Sequence, residues 1–152
     1  MTESTQPTSG TTTVTGTVAT TVSGIVSTVG ASQYPAGATP LAISSGNLAN
    51  GVATATLTSA VGKTAYLSGF EVTGAGATVA LPVTVTVVGL LGGTASYTYG
   101  AVGGVLLMNA PLVVTYDPAV PASGTNVPVV VSCPALGLGN TNSTVVARGY
   151  LL

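Results

Sequence analysis

Apolar and polar positions along this chain fall into short runs rather than long periods. From Gly46 onward, β-branched stretches are separated by Gly, Pro and Asn, which is the punctuation of an all-β domain. The spacing predicts strands at 51–58, 64–73, 83–90, 94–102, 105–109, 112–116, 127–133 and 144–151. Within 83–87 the order Val-Thr-Val-Thr-Val sets valines on one face and threonines on the other. Within 94–102, Tyr97, Tyr99 and Ala101 share one face, and Ser96, Thr98 and Gly100 share the opposite one. The runs 127–131 and 105–108 do not alternate, so they read as strands covered on both faces or as subunit contacts. A helix over 48–60 is disfavoured, because Gly51 interrupts it and no Glu-to-Lys pairs support an exposed helical face. Eight strands at this spacing predict a β-sandwich or jelly-roll-like body over 46–152.

The first 33 residues follow a different rule. Valine recurs every fourth residue at Val14, Val18, Val22 and Val26, with Ile25 beside the last, in a low-complexity background of Thr, Gly and Ala. That spacing places every valine on one face of an extended strand, and a Thr/Val/Gly composition favours extended chain over helix. Two readings stand, a flexible tail or an extended N-terminal arm that adds to another subunit's sheet or lies on a neighbour. In the arm reading, Val14, Val18, Val22, Ile25 and Val26 make the contacts. Residues 34–45, with Pro35 and Pro40, read as an extended connector between arm and body.

Charge changes the picture more than any motif does. Only 3% of the 152 residues are Asp, Glu, Lys or Arg, against a usual ~25%. Lys63 and Arg148 cannot neutralise a run of phosphates, so no nucleic-acid partner is expected. Mean hydropathy is high at +0.67, yet Thr, Ser or Gly interrupts every apolar run before ~18 residues, so neither a spanning helix nor a membrane partner is expected. The N-terminal stretch lacks a basic segment leading into an apolar one, so no secretory signal is read and production in a host cytoplasm is expected.

Candidate chemistry is sparse. Without His and with one Cys, nucleophilic triads and zinc or copper sites lack their groups, and no catalytic, cofactor-binding or metal residues are assigned. Cys133 reads as a buried strand end. A carboxylate pair of Glu71 and Asp117 is the minimum for glycoside hydrolysis. The plainer reading pairs Glu71 with Lys63 or Arg148, on the face of Leu67, and puts Asp117 at a turn after a strand end. The glycines at 89–93 and 100–104 sit in hairpin context and lack a following Lys-Ser or Lys-Thr, so they are turns. The match Asn142-Ser143-Thr144 to a glycosylation acceptor is idle without secretion. Six tyrosines either fill the core or build a binding surface, for which Tyr34, Tyr97 and Tyr99 are the candidates.

A sheet protein guards its edges with charge, and this chain has almost none to use. Covered edges and a homo-oligomer, most simply a trimer, are expected. The segments Gly62-Lys63-Thr64-Ala65-Tyr66-Leu67-Ser68-Gly69-Phe70-Glu71-Val72-Thr73-Gly74, Ala110-Pro111-Leu112-Val113-Val114 and Val131-Ser132-Cys133-Pro134-Ala135-Leu136-Gly137, with Gly139-Asn140-Thr141-Asn142, span roughly the last hundred residues. In pattern and style they resemble the small, nearly uncharged β proteins encoded beside capsid genes in tailed bacteriophages. The resemblance implies a non-enzymatic decoration, cement or head-fibre protein on the virion surface, with the major capsid protein as partner. The alternative it leaves open is a receptor- or glycan-binding module of a phage fibre or tail.

Overall fold

The computed structural model describes residues 34–104, 107–137 and 141–152. The chain divides into two units, Met1–Ala36 and Gly37–Leu152. The predicted arm, with Val14, Val18, Val22, Ile25 and Val26, lies outside the described residues.

The second unit is built from nine strands: β1 (Thr39–Ser44), β2 (Leu48–Ala49), β3 (Ala53–Leu57), β4 (Ala65–Ala75), β5 (Leu81–Leu90), β6 (Gly93–Ala101), β7 (Leu112–Pro121), β8 (Val129–Cys133) and β9 (Asn142–Leu151). They form two antiparallel sheets. The first runs β1-β9-β4-β7, with the short β2 also on β9, and the second runs β3-β8-β5-β6. Leaving β2 aside, successive strands alternate between the sheets except for the β5–β6 hairpin. That order is the double-sheet jelly roll, and the all-β expectation holds.

Each sheet turns one face inward. Ala53, Ala55 and Leu57 of β3, Val83, Val85 and Val87 of β5, and Val129, Val131 and Cys133 of β8 meet Leu67, Phe70 and Val72 of β4 and Val145 and Ala147 of β9. Burying a valine or leucine side chain in full contributes about 1.5–3 kcal/mol, so this layer of mostly small residues is the main stabiliser. The threonines of β5 point the other way, as the alternation required.

A bulge in β4 corrects one expectation. The register against β9 shifts between Leu67 and Gly69, which leaves Ser68 as the extra residue, and the Ser68 hydroxyl donates to the Arg148 carbonyl at 3.0 Å. Inward positions are therefore Ala65 and Leu67 before the bulge, and Phe70 and Val72 after it. Glu71 lies on the outer face and Leu67 is fully buried, so the two do not share a face as simple alternation implied.

Two other expectations change. Residues 39–44, read as part of a connector, form β1, which pairs with β9 from Thr39↔Leu151 to Ser44↔Val146. Pro40 is tolerated because β1 is an edge strand. In the run read as a strand at 105–109, Met108 makes an isolated bridge to Ala75, and no strand is formed by 107–109.

Candidate functional surfaces

The described residues of loops 45–52, 76–80, 102–111 and 134–141 (all but 105–106 and 138–140) gather at one end of the sandwich. Register places them there: Ala75 at the end of β4 faces Asn142 at the start of β9, and Leu81 at the start of β5 faces Ala101 at the end of β6. Backbone bonds tie them in pairs, Asn50 N–H to the Thr141 carbonyl at 2.9 Å and Gly104 N–H to the Ala77 carbonyl at 2.7 Å. Thus the glycines of 100–104 close a loop against 76–80 rather than a hairpin, whereas Gly92 and Gly93 do sit at the β5–β6 hairpin. None of the four loops contains Asp, Glu, Lys or Arg. They expose Val52, Val79, Val102, Leu107 and Met108, the last at 79%. Beside Met108, a depression of about 150 Å³ is lined by Asn47, Thr73, Ala75, Asn142 and Thr144. Pockets for small molecules start near ~300 Å³, so this one is undersized.

The candidate catalytic groups do not converge. Glu71 pairs with Arg148 at 3.7 Å, across the diagonal of the β4–β9 ladder, on the outer face of the first sheet. Asp117 is exposed within β7, where the ladder to β4 jumps from Thr115↔Gly69 to Val120↔Leu67 and leaves Tyr116–Ala119 unpaired; the Asp117–Pro118 peptide there is cis. The strand resumes after this interruption rather than ending. Cys133 closes β8, and burial pushes its thiol up to about 11. Among the described residues, no three His, Cys, Asp or Glu side chains come together.

Two of the three tyrosines proposed for a surface face the core. Tyr99 is 3% exposed and Tyr97 packs on the same inward face. The Tyr97 ring meets Phe70 edge-on at 5.2 Å, and its hydroxyl lies 2.6 Å from that of Tyr116 on β7. Burial, and then the bond to Tyr97, raise the Tyr116 phenol above its ordinary range. The Tyr99 hydroxyl and the Asn109 amide nitrogen are sealed from solvent without a hydrogen bond of good geometry; burial raises Tyr99, and the neighbouring Asn109 opposes this in part. Asn109 uses its oxygen to accept from Val102 N–H at 2.7 Å. Tyr34 is half-buried in a bend ahead of Gly37.

The aromatic feature of the outer surface is one that sequence reasoning missed. Tyr66 and Tyr150 are directly opposed on β4 and β9 and stack at 4.8 Å with planes 7° apart. Pro40 flanks Tyr150 on β1, and Pro121 flanks Tyr66 on β7. Only the register reveals this row, because the four residues are scattered along the sequence. Tyr150 is nevertheless only 8% exposed and Tyr66 is partly buried, so neither ring stands fully open.

No helix among the described residues is long and apolar enough to cross a membrane. No protein-family model, curated protein or solved structure matches this chain.

Proposed function

We propose that this protein is a non-enzymatic structural component of a tailed-phage virion, decorating or cementing the outer capsid surface through protein–protein contacts. In this reading the N-terminal arm and self-association into a homo-oligomer add to the hold on the major capsid protein. The observation that carries it is the uncharged loop end. Five large apolar residues stand in solvent on three of these four uncharged loops, and exposed apolar surface of this kind fits packing against another protein. The jelly roll itself does not choose, since capsid and lectin domains both use it and function resides in surfaces.

The glycan-binding alternative draws less support from the tyrosines: Tyr99 is buried, Tyr97 packs against the core, and Tyr150 of the outer stack is 8% exposed. A glycan array on the intact protein separates the two readings, because a cement protein gives no sugar-dependent signal.

The deciding experiment is quantitative composition of purified virions. Decoration requires copies in the hundreds, in proportion to the capsid lattice; a handful per particle, or none, overturns it. Replacing Leu107 and Met108 by Ser removes exposed apolar area without touching the core. Capsid occupancy of that variant then falls, while its unfolding midpoint stays within a few degrees of the parent.

A further inference from the structure

The two sheets present four edges, and three of them carry devices that stop strand addition. The β1 edge holds Pro40. The β7 edge holds Pro118, Pro121 and Asp117, and its ladder is broken over four residues. The β3 edge has five residues and packs across the sandwich against β1 and β9.

The fourth edge, β6, has none of these. Its nine residues, Gly93-Thr94-Ala95-Ser96-Tyr97-Thr98-Tyr99-Gly100-Ala101, include no proline and no charge. Among the described residues it pairs with β5 alone, in an unbroken register from Leu81↔Ala101 to Val87↔Ala95. The clasp of Tyr97 to Tyr116 and the edge-on packing of Tyr97 on Phe70 hold its inward face against β7 and β4. Such a strand leaves a row of backbone donors and acceptors presented to solvent on a rigid support.

We propose that β6 is the site where a second copy of this chain joins, β6 against β6 in antiparallel register about Tyr97, to give one eight-stranded sheet across a two-fold axis. The inference deepens the self-association part of the proposed function and names its surface. It makes the first contact an isologous dimer rather than the trimer that composition suggested.

The strand is suited to pair with itself. Antiparallel pairing about Tyr97 sets Ser96 opposite the partner's Thr98, twice, so hydroxyls meet and no like charges do. On the outer face of the second sheet a hydroxyl row already crosses four strands, Thr54–Ser132–Thr86–Ser96, with Thr54 and Ser132 oxygens 3.2 Å apart. Thr84 and Thr98 form the adjacent pair. Pairing of β6 continues the first row into the partner's Thr98 and Thr84. Many extended segments could add to an open edge; a second copy is the occupant whose side chains match this strand on both sides, and a net charge of -1 leaves little repulsion between copies.

The test is a charge exchange on two exposed positions of the full chain. Ser96→Lys with Thr98→Lys places lysine opposite lysine at both contacts, whereas Ser96→Lys with Thr98→Glu places lysine opposite glutamate. Dissociation constants come from sedimentation over a concentration series, with unfolding midpoints as the check on folding. A dimeric parent, a Lys/Lys variant at least tenfold weaker, and a Lys/Glu variant within about threefold of the parent support the proposal. A parent that stays monomeric overturns self-association itself. An oligomeric parent whose Lys/Lys and Lys/Glu variants associate equally overturns the β6 register while self-association stands.

Discussion

At the scale of single residues, backbone proximity decides more than side-chain size. Gly149 on β9 lies so close to β4 that a Cβ would run into the Tyr66 carbonyl oxygen, with Leu57 Cδ1 at 3.2 Å behind it. The obstacle is backbone within a paired ladder, which cannot move without breaking the sheet. Gly149→Ala is therefore expected to cost about 3 kcal/mol or more, at the upper end of single substitutions, as read by chemical denaturation. The tyrosines give the opposite contrast. Tyr99→Phe removes a buried hydroxyl with no good partner and should leave stability unchanged or slightly raised, whereas Tyr97→Phe orphans Tyr116 and should cost about 1 kcal/mol. A larger loss for Tyr99→Phe than for Tyr97→Phe would contradict this assignment. Cys133 adds a pH dependence with a definite sign. Its thiol is raised in the folded state, so the unfolded chain gives up the proton first; stability is full below about pH 8.5 and declines as pH rises toward about 11. The loss is bounded at roughly 3 kcal/mol. Between pH 8.5 and 10 the stability of Cys133→Ala should be flatter than that of the parent.

At the scale of elements, the bulge at Ser68 sets which residues β4 buries. Ser68→Ala loses one hydroxyl bond to the Arg148 carbonyl and should cost about 1 kcal/mol. Deleting Ser68 turns either Ala65 and Leu67 or Phe70 and Val72 outward, and a folded product with native-like thermal unfolding would show that the bulge does not set the phase. This feature also explains what the sequence could and could not reveal. Alternation in Val83-Thr84-Val85-Thr86-Val87 identified β5 and its two faces from local pattern alone. Alternation through Glu71 misled, because an extra residue inverts the phase without leaving a mark in composition. β1 was missed for a related reason: Pro35, Gly37 and Pro40 read locally as a connector, and only pairing with β9 makes 39–44 a strand. For Tyr97 and Tyr99 the pattern gave a shared face but not which side of the sheet it occupied. The Glu71–Arg148 pair was one of two local options, and register selected it.

At the scale of the whole molecule, the few charges decide how the chain can be attacked. Trypsin has two sites, Lys63 and Arg148. Arg148 sits in β9, paired to Ala42 on one side and Gly69 on the other. Lys63 is exposed, but its carbonyl accepts from Asn126 N–H at 3.0 Å and the next residue is bonded to Leu152 in both directions. Limited digestion should therefore leave the native protein intact or nick it slowly after Lys63. Cleavage after Arg148 should appear only as the fold is lost, so its rate against denaturant should follow the global unfolding curve; early cleavage there would mean that β9 opens on its own.

The position of β9 carries a further consequence. It bonds to β1 and β2 along one side and β4 along the other, so it is the spine of the first sheet, and it follows all of them in the chain. A nascent polypeptide that has reached Cys133 already holds every strand of the second sheet but cannot assemble the first. The inward faces of β4 and β5 then wait for their cover, with little charge nearby to keep them apart from other nascent chains. Synthesis must run through β9 before the first sheet can close, and a stop codon anywhere before Asn142 is expected to leave the inward faces uncovered and the product aggregation-prone.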